Sequence, residues 1–164
     1  MPNSIQSARA ADVATLHALI RALAEYEKLA AQVVGTAEDL QRELFCEQPV
    51  IEAVLASEGE RALGFALFFH NYSTFLARRG LYLEDLFVVP EARGRGIGKA
   101  LIRHCAQIAV ERGCGRFEWA VLDWNQPAID FYQSIGATML PDWRIFRLTG
   151  DGLARFAEAP AARP

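Results

Sequence analysis

Cysteine is scarce in this 164-residue chain, at three residues: Cys46, Cys105 and Cys114. An odd count without metal-ligand spacing excludes a disulfide framework, and reduced structural thiols are the expected state. Histidine is equally thin. His17, His70 and His104 are scattered, so no metal is expected. Long apolar runs are missing too; none approaches the roughly 20 residues of a membrane span. The opening Met-Pro-Asn-Ser-Ile-Gln has neither the basic nor the apolar block of a signal peptide, so a cytoplasmic protein without membrane contact is expected. Neither sign of charge dominates. A net charge of −3 and a pI near 5.6 give no drive toward nucleic acid. What remains is 52% hydrophobic, enough for one domain with a proper core. That domain is expected over residues 3–157, with a flexible tail at 158–164.

Hydrophobic periodicity predicts alternating helices and strands without a linker. Residues 4–10 read as a strand, and Asp12 as the cap of a helix carrying Val13, Leu16, Leu19, Ile20 and Leu23 at helical spacing. Gly35 breaks that pattern, and Thr36 caps a second helix running to about residue 45. Three consecutive strands are expected at 50–56, 62–70 and 81–89. A helix follows at 97–112 with Leu101, Ile102, Cys105, Ile108 and Ala109 inward. A strand at 116–122, a short helix at 128–135 ended by Gly136, a strand at 143–148 and a helical turn at 151–157 complete the chain.

The most informative stretch is 83–101. The apolar run Leu86-Phe87-Val88-Val89 reads as a buried strand stopped by Pro90, and a loop then leads into a helix. Gly94, Gly96 and Gly98 let the backbone approach a ligand and take positive φ where needed. Amides at a helix N-terminus hold anions, and Arg93, Arg95 and Lys99 add formal charge, so a phosphate or diphosphate is expected here. Two phosphate loops are excluded. A Walker loop needs Ser or Thr after its lysine, yet Ala100 follows Lys99, and only three residues separate Gly94 from Gly98. A dinucleotide fingerprint needs a third glycine where Lys99 stands. The pattern that fits is Arg-x-x-Gly-x-Gly after a strand, formed by Arg93, Gly96 and Gly98. It resembles the coenzyme A loop of the GNAT N-acetyltransferases.

A second block supports that resemblance. Asn125 and Pro127 mark a strand-to-helix junction, and Asn-x-x-Ala-x-x-Phe-Tyr, ending in Phe131 and Tyr132, is followed by Gly136-Ala137. The resemblance covers residues 5–156 and implies a GNAT fold of mixed α+β class. Its central, mostly antiparallel twisted sheet would have six to seven strands splayed at the cofactor site, with about four flanking helices. Ala24-Glu-Tyr-Glu, Tyr82-Leu-Glu-Asp-Leu-Phe-Val, Trp124-Asn-x-Pro-x-Ile-x-Phe-Tyr and Trp143-Arg-x-Phe further resemble the diamine (spermidine/spermine) acetyltransferase family, which includes thialysine-acting members. What this implies is an acetyl-CoA cosubstrate, a small-molecule amine acceptor and a homodimer with the terminal strand near the contact. The resemblance assigns the pantetheine arm to Leu86, Phe87 and Val88 and the diphosphate to the loop Arg93, Gly94, Arg95, Gly96, Ile97, Gly98 and Lys99. Asn125, Pro127, Ala128 and Tyr132 join the cofactor side. Tyr26, Glu27, Glu84, Asp85, Glu118 and Asp142 are assigned to the acceptor.

The chemistry asks for the same residue types. An alkylamine with a pKa near ~10 arrives protonated, and a carboxylate such as Glu84 attracts it and takes its proton. An oxyanion needs a donor, expected from a free amide at a strand bulge beside Leu86. The departing thiolate needs a proton, which the Tyr132 hydroxyl can supply. Direct transfer in a ternary complex is expected, because Cys105 and Cys114 sit among helix or core-like residues. Strand alternation puts Glu84 and Asp85 on opposite faces, and Asp85 reads as a buried acid paired with an arginine. The segment before Trp143 supplies only Asp142, and Glu118 stands where that family often has His. Arg78 or Arg144 would bind the carboxylate of an amino acid acceptor. A protein terminus or lysine as acceptor, and a non-catalytic coenzyme A sensor, are the alternative functions.

Overall fold

The computed structural model describes residues 4–158, so most of the expected tail, residues 159–164, lies outside the described residues. The chain divides at Ala120 into two compact units, described separately here.

The first unit is a sheet with helices on both faces. Its strands are β1 (Ser4–Ser7), β2 (Glu52–Glu58), β3 (Arg61–Ser73), β4 (Arg78–Val88) and β5 (Phe117–Trp119), in spatial order 1-2-3-4-5. The first four pair antiparallel, and β5 runs parallel to β4. Five strands thus replace the expected six to seven. β1 and β5 are also shorter than the 4–10 and 116–122 expected for them, because a strand extends only as far as its neighbour's ladder.

Helix α1 (Val13–Tyr26) buries Val13, Leu16, Leu19, Leu23 and Ala24. Asp12 does not cap it. Its carboxylate instead accepts from the Arg9 amide (2.9 Å) and Arg9 Nε (3.1 Å), closing a 3₁₀ turn at Ala10–Asp12. Thr36 does cap α2 (Ala37–Phe45): its hydroxyl accepts from the Asp39 amide, and the Asp39 carboxylate accepts from the Thr36 amide. α1 and α2 cover one face, where Leu16, Leu19, Leu23 and Leu44 pack with Ala53, Leu55, Phe65, Leu67 and Phe87. α3 (Ile97–Glu111) packs on β2, β3 and β4 through Ile97, Leu101, Ile102, Cys105 and Ala109. Burial pushes the Cys105 thiol up to about 12, so it stays an inert apolar filler.

The second unit holds α4 (Gln126–Ser134) and α5 (Gly150–Glu158). Gly136 at φ 89° stops the chain after α4. The strand expected at 143–148 is absent: these residues form no regular structure, with Trp143 76%, Ile145 75% and Phe146 93% exposed. An apolar, aromatic run has strand propensity, but a strand also needs a partner ladder, and none in the described chain meets it. No helix of the described residues is long and apolar enough to cross a membrane.

Candidate active site

β4 carries two acids in an apolar strand, and the pairing with β3 shows how. Leu67 faces Asp85 while Phe68 faces Leu83, so Glu84 is an extra residue that β3 does not match. The bulge therefore lies at Glu84, two residues before the Leu86 position expected for it. It also breaks strict alternation. Leu83 shares a face with Phe68, whereas Asp85 shares the α1 face with Leu67, although the two acquire the same parity in sequence.

Among the described residues Asp85 has no arginine in the set of groups that set its charge, contrary to the paired acid expected. Burial first, and then the neighbouring Glu84 and Glu27 carboxylates, together raise its pKa to about 6. Glu27, the residue after α1, is itself raised by burial. The fold thus gathers three carboxylates from the end of α1 and the β4 bulge, and Glu84 is exposed. Such a cluster is relieved by a cation. Beside it, β5 pairs with β4 only at 81–83 against 117–119, so residues 84–88 have no ladder on that edge. Among the described residues no strand pairs with them on that side, which is the arrangement an extended ligand can use, although the Val88 carbonyl already accepts from Arg93 Nε.

The loop after β4 turns through a 3₁₀ segment (Pro90–Ala92) and enters α3 with Gly94 at φ 75° and Gly96 at φ 78°. Both values fall where a Cβ is costly. The first amides of α3, at Ile97, Gly98 and Lys99, lack intrahelical acceptors and form the positive end of its dipole. Two of the three expected cations are engaged by the protein itself. Arg93 Nε donates to the Val88 carbonyl at 3.0 Å, and its guanidinium lies 4.4 Å over the Tyr26 ring and 5.7 Å from Phe87. Arg95 bonds Glu58 at 2.9 Å. A backbone of this kind can cradle an anion; Arg93 and Arg95 brace it through these contacts, and Lys99 is exposed beside it.

Other predicted residues fall elsewhere. Glu118 is paired with Arg116 Nε at 2.9 Å and accepts from Asn71 Nδ2 at 3.1 Å, so its charge is already matched. Its strand neighbour Tyr82 packs on Phe69 with ring centroids 5.1 Å apart. In the second unit, buried Asn125 caps α4, its Oδ1 accepting from the Ala128 amide at 3.4 Å, with Pro127 in the first turn. Tyr132 lies on α4, its ring 5.3 Å from Phe131. Asp142 is exposed in the irregular segment, and Arg144 donates to the Pro141 and Trp143 carbonyls. Sequence reasoning missed Gly64. A Cβ there would stand 2.5 Å from the Phe87 carbonyl oxygen and 3.2 Å from Val88 Cα, so a bare position on β3 lets β4 lie close. The signal was an isolated glycine inside a strand. Among the described residues no cluster of histidine, cysteine and carboxylate side chains could hold a metal.

Comparisons with known proteins agree with this geometry. The model of the acetyltransferase (GNAT) family matches residues 16–137. Thialysine N-epsilon-acetyltransferase of Sus scrofa is 38% identical over 164 residues, covering 93% of this chain and 96% of the relative. Spermidine/spermine N(1)-acetyltransferase-like protein 1 of Homo sapiens is 31% identical over 163 residues, covering 93% of this chain and 23% of that protein. An integron cassette protein, VCH_CASS6, from the mobile metagenome of V. cholerae superposes with a TM-score of 0.82 at 29% identity, covering 97% and 99% of the two chains.

Proposed function

The chain belongs to the GNAT acetyltransferase family and is an acetyl-transfer enzyme; from that premise we propose that it moves the acetyl group of acetyl-CoA to a primary amine of a small cationic acceptor, a polyamine or a thialysine-like amino acid. The observation that carries the acceptor class is the carboxylate cluster of Glu27, Glu84 and Asp85. The family match runs across the junction between the two units, which supports reading residues 3–157 as one catalytic domain.

The residues present fit acetyl-CoA. Gly94 and Gly96 with the α3 amides offer an anion cradle, and the unladdered edge at Leu86, Phe87 and Val88 offers hydrogen bonds to an amide-bearing arm. When bound, acetyl-CoA supplies an activated thioester. The chain's own residues do the rest. Glu84 and Glu27 attract the ammonium group of the acceptor, and Asp85, poised near 6, takes its proton so that a neutral amine attacks. This transfers to Asp85 part of the base role expected of Glu84. Tyr132 donates a proton to the departing thiolate. Transfer is direct; the buried, protonated Cys105 thiol supports a route without a cysteine intermediate. The exposed Trp143, Ile145 and Phe146 support a homodimer built at this segment.

Two outcomes are expected. Tyr132→Phe lowers kcat by about 10²-fold with little change in acetyl-CoA affinity, read by amine-dependent thiol release and by calorimetry. An unchanged kcat across the pH range removes the proton-donor role. Arg93→Ala, which cuts the link between the loop and Tyr26, weakens acetyl-CoA by roughly tenfold, given about 0.5–2 kcal/mol for such a cation–π contact. Because Tyr26 adjoins Glu27, the acceptor KM rises alongside. A rise in the acceptor KM with unaltered acetyl-CoA affinity contradicts the coupling through this residue.

A further inference from the structure

A second group of basic side chains gathers on the other face of the sheet. His70 and Leu81 are register partners, as are Tyr72 and Arg79, and both pairs share the face of Phe68 and Leu83, away from Asp85. Here the first residues of β4 meet the end of α3 around a groove of about 600 Å³, lined by His70, Tyr72, Arg78, Arg79 and Arg112 among others. Arg79 is nine residues from Val88, roughly 30 Å along an extended strand, so the groove is separate from the glycine loop.

The groove is strongly cationic in a chain whose net charge is −3. Arg112 is held in place by a two-pronged pair with Glu52, at 2.5 and 2.8 Å, and its Nη1 stands 3.5 Å from His70 Nε2. Arg78 and Arg79 have no ion pair among the described residues. Burial, and then the charges of Arg112 and Arg79, lower the pKa of His70, while Glu52 on β2 opposes them. Two free guanidinium forks beside a fixed third match oxyanions carrying several charges. The volume suits a small molecule, and the negative net charge disfavours a polyanionic macromolecule.

The geometry points to an anion-binding site at Arg78, Arg79 and Arg112 that takes a small polyanion of the diphosphate or polycarboxylate class, distinct from the acetyl-transfer site. The three histidines make the test internal. Their ring C–H signals are followed by NMR against pH at constant ionic strength, with inorganic pyrophosphate or citrate as the probe. Coenzyme A is left out, because its own diphosphate would compete with the probe at the groove; binding there is read at His70, on the face away from Asp85. The expected result is a saturable shift of His70 alone, its titration midpoint rising as the anion offsets Arg112 and Arg79. Arg79→Gln and Arg78→Gln should each weaken this at least tenfold, with His17 and His104 unmoved. A response equal in all three histidines, a response unaltered by both substitutions, or no saturable response for either probe would overturn the site.

Discussion

Asp85→Asn is expected to lower kcat/KM for the amine by at least 10²-fold while making the protein more stable at pH 8. The loss of rate follows from removing the proton acceptor. The gain in stability follows from linkage. Burial beside Glu84 and Glu27 raises Asp85 from 3.8 to about 6, so the folded state holds this proton more tightly than the unfolded one. Below the unfolded value the carboxyl is neutral in both states and contributes nothing unfavourable. As pH rises through the folded value the fold must carry a buried, repelled charge, at a cost of about 3 kcal/mol for a shift of roughly two units. The neutral amide escapes that cost. Denaturant melts of wild type and variant should therefore converge near pH 3.5 and separate above pH 6.5, the variant being the more stable. In the wild type, log kcat/KM should fall as pH drops through about 6, and that limb should be missing from the variant. A variant with wild-type turnover, or one less stable at pH 8 than at pH 3.5 relative to wild type, contradicts this assignment.

Gly64→Ala is expected to damage stability and cofactor binding together. The added Cβ would meet the Phe87 carbonyl oxygen at 2.5 Å, and this contact is backbone against backbone, with no flexible side chain to swing aside. β4 must move away from β3 by several tenths of an ångström, at a cost of about 1–3 kcal/mol. Phe87 and Val88 are the residues proposed to meet the pantetheine arm, so the same displacement misaligns their amides. Melting temperature and acetyl-CoA affinity by calorimetry should drop in the same variant. Gly94→Ala is a useful contrast, because a Cβ there has open space and only its φ of 75° is strained; its stability loss should be the smaller. Equal affinity for acetyl-CoA in wild type and Gly64→Ala would show that β4 does not hold the cofactor there.

Features coded in a few consecutive residues were legible in the sequence. The Thr36–Asp39 box, the two positive-φ glycines before α3 and the Asn125–Pro127 start of α4 all appear where local chemistry places them. The expected Asp12 cap failed because Arg9, three residues earlier, competes for the same carboxylate. Features that depend on a distant partner were not legible. The bulge at Glu84 exists only relative to the register of β3. The approach of Glu27 to Asp85 depends on how α1 ends against the sheet. The run at 143–148 has strand-like residues and no ladder. One pairing was within reach: Arg116, the residue just before β5, and Glu118 are two apart in extended chain and so share a face, which makes the ion pair that neutralises Glu118 a local prediction.

Three gathered carboxylates are proposed to select a small cationic amine for acetylation. The most direct measurement is a one-pot competition, in which limiting acetyl-CoA is mixed with the enzyme and equimolar spermidine, thialysine, lysine and a lysine-containing peptide. Mass spectrometry then reads which amine carries the acetyl group. The expected products are acetylated spermidine or thialysine in amounts matching the thiol released, with the peptide unmodified. Acetyl recovered on the peptide alone, or thiol released with no small amine modified, would contradict it.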